Sequence, residues 1–143
     1  MRRGAISLVA AMGVAASASA AAAQEVSFTL DLIGREAKAS SCAFIFDAQN
    51  KLGVDLGEIK VQIIGLAASG VYEGLWLLSF SNIKDKKRQI KSFELPKSCN
   101  EIGKFNVNFF TECKGDKDYK DLCNKGLRAS SKVENVGFSN EAE

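Results

Sequence analysis

The chain of 143 residues contains no histidine. That absence removes the side chain on which general acid–base catalysis most often leans. It also removes the usual base for a serine or cysteine nucleophile and the commonest nitrogen ligand of zinc. Cys42, Cys99, Cys113 and Cys123 are present, but no two stand as a C-x-x-C pair. The spacing of a dithiol oxidoreductase is therefore missing, and so is that of a paired-cysteine zinc site. Proline occurs once, at Pro96, and tryptophan once, at Trp76. No low-complexity linker or internal repeat interrupts the sequence, so no domain boundary is visible. A strong charge of either sign is also lacking: 19 basic residues stand against 17 acidic ones.

The N-terminus is distinctive. Met1-Arg2-Arg3 gives a short positive start, residues 5–16 form an apolar run, and the small residues SASAAAAQ come next. That order is the pattern of a secretory signal peptide. The A-x-A rule allows cleavage after Ala20 or after Ala23; the second is preferred and makes Gln24 the first mature residue. The expected organisation is a signal peptide at 1–23 and one domain at 24–143. The alanine-rich leader points to a bacterial envelope protein, located in the periplasm or secreted. Losing Arg2 and Arg3 leaves 17 basic against 17 acidic residues. A neutral chain lacks the positive field that nucleic acids require, so no nucleic-acid partner is predicted. The segment 63–80 reaches the minimum length of a membrane span, but Gly65, Gly70, Glu73 and Gly74 read better as two strands around a turn. No transmembrane span is expected in the mature chain.

An even number of cysteines in an exported chain reads as two disulfides. Four cysteines allow three pairings. Proximity favours Cys113–Cys123, which leaves Cys42–Cys99.

Period-2 alternation dominates the chain beyond the leader. Phe28, Leu30 and Leu32 alternate with polar residues; so do Ile59, Val61 and Ile63, against Glu58, Lys60 and Gln62. Each set is one face of a half-buried strand. The run CAFIFDA at 42–48 is apolar on both faces. VYEGLWLLSFSN at 71–82 is too, with Leu75 and Leu77 on one side and Trp76, Leu78 and Phe80 on the other; it reads as a central strand. Residues 84–89, KDKKRQ, look like a hairpin tip. A shorter strand runs from Ile90 to Leu95. In KFNVNFF, alternation puts Phe105, Val107 and Phe109 inward. Val133, Val136 and Phe138 suggest a weak last strand. About seven short strands in a stapled chain of this length predict an all-β sandwich. Cys42 and Cys99, with Trp76 between them, resemble the arrangement of an immunoglobulin-like domain in architecture, although the cysteine spacing matches no such family.

The stretch CKGDKDYKDLC at 113–123 places three aspartates between two cysteines. Tyr119, Leu122 and Cys123 fall at i, i+3 and i+4, one face of a short helix near 117–125. Asp116 or Asp118 is suited to cap it. The interleaved Lys114, Lys117 and Lys120 would repel a cation, and the order of a calcium loop is absent. A stapled turn is expected, with no metal and no cofactor.

The densest charge feature is the loop Lys84, Lys86, Lys87 and Arg88, with Lys91 beyond it. As a function, it would dock an anionic surface or an acidic partner. Tyr72, set among glycines, is a candidate contact residue on a loop. These six are the candidate partner-binding residues; no catalytic residue is predicted. The expected function is a non-catalytic exported interaction module for another envelope or secreted protein, such as an adaptor, assembly factor or hydrolase inhibitor. The alternative is a carrier that holds a small or lipidic ligand between its sheets.

Overall fold

In the computed structural model of the chain, the described residues are 26–140 together with Gly4 and Gly13. The predicted leader, apart from those two glycines, lies outside them. Alternation builds the strands as expected: β1 (Ser27–Ala37) buries Phe28, Leu30 and Leu32, and β2 (Cys42–Lys51) buries Phe44, Phe46 and Ala48. β3 (Leu56–Leu66) buries Ile59, Val61 and Ile63. Next come β4 (Tyr72–Ile83), β5 (Arg88–Leu95) and β6 (Lys104–Lys114), with a short 3-10 turn at Cys99–Glu101. The helix α1 (Lys120–Gly126) leads into β7 (Leu127–Ser131), and β8 (Gly137–Asn140) ends the fold.

The strands form two four-stranded sheets, ordered β5-β2-β1-β7 and β4-β3-β6-β8. The described residues thus form a β-sandwich, with eight strands where the sequence suggests about seven. β7 escapes the hydrophobic pattern because LRASS has only one large apolar residue. Its place is given by β1, with which it pairs in parallel, Phe28 opposite Leu127. β8 pairs in parallel with β6 in the same way.

Two readings of the sequence are corrected here. β4 lies at the edge of its sheet and not in the centre. The segment at 84–89 is not a hairpin tip either. Residues 84–87 carry the chain from β4 in one sheet to β5 in the other, and Arg88 and Gln89 already pair with β2.

The core is aromatic. Phe44 meets Phe105 across the sheets at 4.8 Å between ring centroids, and Phe28 meets Phe110 at 5.1 Å, both edge to face. Phe46 lies 5.5 Å from Phe138. Such pairs add about 0.5–1.5 kcal/mol each to the gain from burial itself. Trp76 lies against Phe105 from the edge strand, at 6.3 Å. Its indole covers Gly65 and Gly74, which stand opposite each other on β3 and β4. A Cβ on either glycine would come within 2.5 or 2.6 Å of that ring.

Both disulfides are those favoured by proximity, Cys42–Cys99 and Cys113–Cys123. The first ties the start of β2 to the 3-10 turn between the sheets. The second holds α1 against the end of β6. Asn124 of α1 reinforces that contact, its Oδ1 accepting from the Phe110 N–H at 2.7 Å. Among the described residues no helix is long and apolar enough to cross a membrane. The segment 63–80 is divided between β3 and β4.

Candidate interaction surface

The basic turn is built on one buried side chain. Asn50 is fully buried, and its Nδ2 donates to the carbonyls of Val54 at 2.8 Å and Ile83 at 2.9 Å. Its Oδ1 accepts from the Leu52 N–H at 3.0 Å. The backbone of Asn50 also bonds to Lys86 and Lys87, and Lys86 takes a left-handed φ of 65°. Asp85 locks the outside of the turn, accepting from the Gly53 N–H while its own N–H donates to Asp55. Asn50→Ala would leave three backbone groups without partners where water is scarce. It should cost about 2–3 kcal/mol, measurable by chemical denaturation.

The candidate basic residues divide into two groups. Lys84, Lys86 and Lys87 are exposed on the turn. Arg88 reaches Asp47 at 3.5 Å. Lys91 donates to the Ser79 carbonyl at 2.7 Å, with its ammonium over the Phe93 ring at 5.2 Å. The lysines of the turn also share their end of the sandwich with acids: Lys84, Asp55 and Asp116 line one groove of about 250 Å³. The result is an end of mixed charge. Tyr72 stands at the far end of β4 from this turn, so the structure does not bring the six candidates together.

In CKGDKDYKDLC two of the three aspartates bond to their own loop. Asp116 accepts from the Tyr119 hydroxyl, which holds that phenol above its ordinary pKa. Asp118 accepts from the Lys120 N–H at 2.9 Å. The stretch is a stapled turn leading into α1.

On the outer face of the first sheet, Asp31 and Asp47 sit directly opposite each other on β1 and β2. The sequence suggests a solvent-facing Asp31, yet it is only 8% exposed, and Asp47 5%. Lys132 pairs with Asp31 at 2.9 Å, and Ser130 donates to it. Arg88 lies over Asp47. Each carboxylate thus has its own cation, an arrangement that offsets the like-charge contact across the strands.

The outer face of the second sheet is different. Leu75, Leu77 and Phe109 are 44%, 51% and 47% exposed, and Tyr72 is 61% exposed. Strand register places Leu77, Gln62 and Phe109 in one row across the sheet. Leu75, Ile64 and Asn106 form the next row, and Tyr72 stands beyond it beside Leu66. Simple alternation predicts Phe109 inward. Instead the register slips at Asn108, since Val107 faces Ile63 while Phe109 faces Gln62. This bulge adds one residue, sends Phe109 outward and turns Phe110 into the core. Asn108 is tied down by a 3.0 Å bond to Gln62.

Charges frame this face. At one end Glu112 bonds Lys114 at 2.8 Å and Lys60 at 3.3 Å. The Lys114 bond, aided by Lys60, holds the Glu112 carboxyl below its ordinary range, and the same bond raises Lys114. At the other end Lys97 pairs with Glu73 at 3.1 Å. Composition alone did not single out Leu75, Leu77 or Phe109 as surface residues. The one signal available was that β4 carries apolar residues on both faces.

No protein-family model matches the chain, and no curated protein matches it in sequence. Among solved structures, that of IrmA from Escherichia coli superposes with a TM-score of 0.59 at 8% identity, over 72% of this chain and 90% of that one. The likeness is one of fold. Two disulfides and a sandwich framework favour an oxidising compartment for this chain.

Proposed function

We propose that the chain is a non-catalytic, exported interaction module that binds another envelope or secreted protein through the outer face of its second sheet. The observation that carries this reading is the cluster of Tyr72, Leu75, Leu77 and Phe109, apolar and exposed, with paired charges around it. An apolar centre inside a polar rim is the common anatomy of a protein–protein interface, and large aromatic side chains are its usual anchors. The paired disulfides support export. The carrier alternative finds less support, because phenylalanine rings from both sheets meet at contact distance in the space a ligand would need.

The test is site-specific photo-crosslinking in the native envelope. A photoreactive phenylalanine analogue at 77 or 109 should yield one discrete adduct, identifiable by mass spectrometry. The same probe at Ile90 of the first sheet, or at Lys86 of the basic turn, should not. Leu77→Ser with Phe109→Ser should cut recovery of that partner at least roughly tenfold, while the fold is retained because both side chains are half exposed. Adducts arising at Lys86 and not at 77 or 109 would move the site to the basic turn.

A further inference from the structure

A sandwich has four sheet edges, and an uncovered edge is a template for another strand. Three of the four are closed in this chain. β7 and β8 are short and lie against each other. The side-chain amide of Asn140 fills the bonding groups of β7, accepting from the Ala129 N–H at 2.9 Å and donating to the Leu127 carbonyl at 2.8 Å. Where β8 ends, Asn124 of α1 takes over along β6. β5 is eight residues long and carries Arg88, Lys91 and Glu94, charges of the kind that discourage strand addition.

The edge of β4 is closed over only half its length. The Gln89 amide imitates a neighbouring strand there, accepting from the Ser81 N–H at 3.2 Å and donating to its carbonyl at 3.1 Å. Lys91 covers the Ser79 carbonyl. Because backbone groups alternate sides along a strand, Leu75 and Leu77 point theirs the same way as Ser79 and Ser81, away from β3. Nothing among the described residues covers them.

We infer that this open segment pairs with the same segment of a second copy, β4 against β4 in antiparallel register, about a two-fold axis beside Trp76. In that register Leu75 of each copy faces Leu77 of the other, and each such pair exchanges two backbone hydrogen bonds. Trp76 faces its own counterpart. Glu73, the bulged residue at the end of this register and the partner of Lys97, comes alongside Ser79 of the second copy and the Lys91 ammonium there, a complementary charge at each end. A shift by two residues would set Glu73 against Leu77 and lose both matches. The product is one eight-stranded sheet whose exposed leucines run continuously across the join. The interface is small, so the pairing is reversible, as small interfaces tend to be. It goes beyond the partner-binding reading and does not depend on it.

Sedimentation equilibrium of the disulfide-intact protein, from about 1 µM to about 1 mM, tests this. A monomer–dimer equilibrium is expected, with dimer prominent by roughly 100 µM, as for weak transient interfaces. Leu77→Pro should weaken it at least about tenfold and leave the thermal midpoint nearly unchanged, because the Leu77 N–H faces away from β3 and proline is tolerated at such an edge position. Leu77→Lys, which asks nothing unusual of the backbone, should weaken the dimer similarly through charge repulsion. A monomer across the whole range, or a dimer that Leu77→Lys leaves intact, overturns the inference. A monomeric wild type that still crosslinks its partner through Phe109 sinks self-pairing and leaves the proposed function standing.

Discussion

Phe105→Ala is expected to destabilise the domain by about 4 kcal/mol and to lower its thermal midpoint by about 15 °C. Phe105 is fully buried at the middle of the second sheet. Its ring is edge-on to Phe44 at 4.8 Å, and Phe46, Phe138 and Trp76 lie at 6.1, 6.2 and 6.3 Å. Truncation would remove one buried ring and strip four others of a contact. Neighbours drawn from both sheets cannot all move in to fill the void. Phe109→Ala, four positions along the same strand, supplies the comparison. That side chain is half exposed, so the loss should stay below about 1 kcal/mol. Equal losses in calorimetry would mean that the bulge at Asn108 is not formed and that Phe109 faces inward after all.

Removing the Cys42–Cys99 bridge by substituting both cysteines should cost about 4 kcal/mol, against about 3 kcal/mol for Cys113–Cys123. The order comes from sequence separation, 57 residues against 10, because the longer loop restricts the unfolded chain more. Location points the same way. Cys42 is fully buried beside Leu95, where the first sheet hands over to the second. Cys113–Cys123 fastens a seven-residue helix that Asn124 already holds. For a domain whose stability is typically about 5–15 kcal/mol, losing the long bridge leaves little margin. Equilibrium denaturation of the two double variants decides the order. A larger loss for the short loop would show that α1 contributes more to the fold than chain entropy suggests.

Much of the fold is legible where one face of a strand is buried and the other wet. Ile59, Val61 and Ile63 are the plainest case. The two-faced apolar run at 42–48 was also informative, since β2 lies between β1 and β5. β4 shows the limit of the same argument. Hydrophobicity on both faces marks a central strand when the second face meets protein. It looks identical when that face is left in the open, as it is at Leu75 and Leu77. Phe109 was hidden by the bulge, because one inserted residue inverts the positions after it until a second slip at Thr111 restores them, and neither leaves a mark on composition. The basic loop is conspicuous in the sequence, but Arg88 and Lys91 lie back along the surface to Asp47 and the Ser79 carbonyl, contacts that only the sheet-to-sheet crossing reveals. Nothing in the sequence sets Asn50, which organises that crossing, apart from any other polar residue.

The parallel pairing of the last strands also sets the order in which the protein can close. β1 finds β2 as soon as the hairpin between them is made, but its other flank waits for residues 127–131. β6 waits likewise for residues 137–140. A chain that lengthens from its N-terminus therefore carries two unfilled strand flanks until residues 127–140 are available. Long-range closure of this kind slows folding and prolongs exposure to aggregation. A chain cut short before residue 127 would retain both flanks permanently.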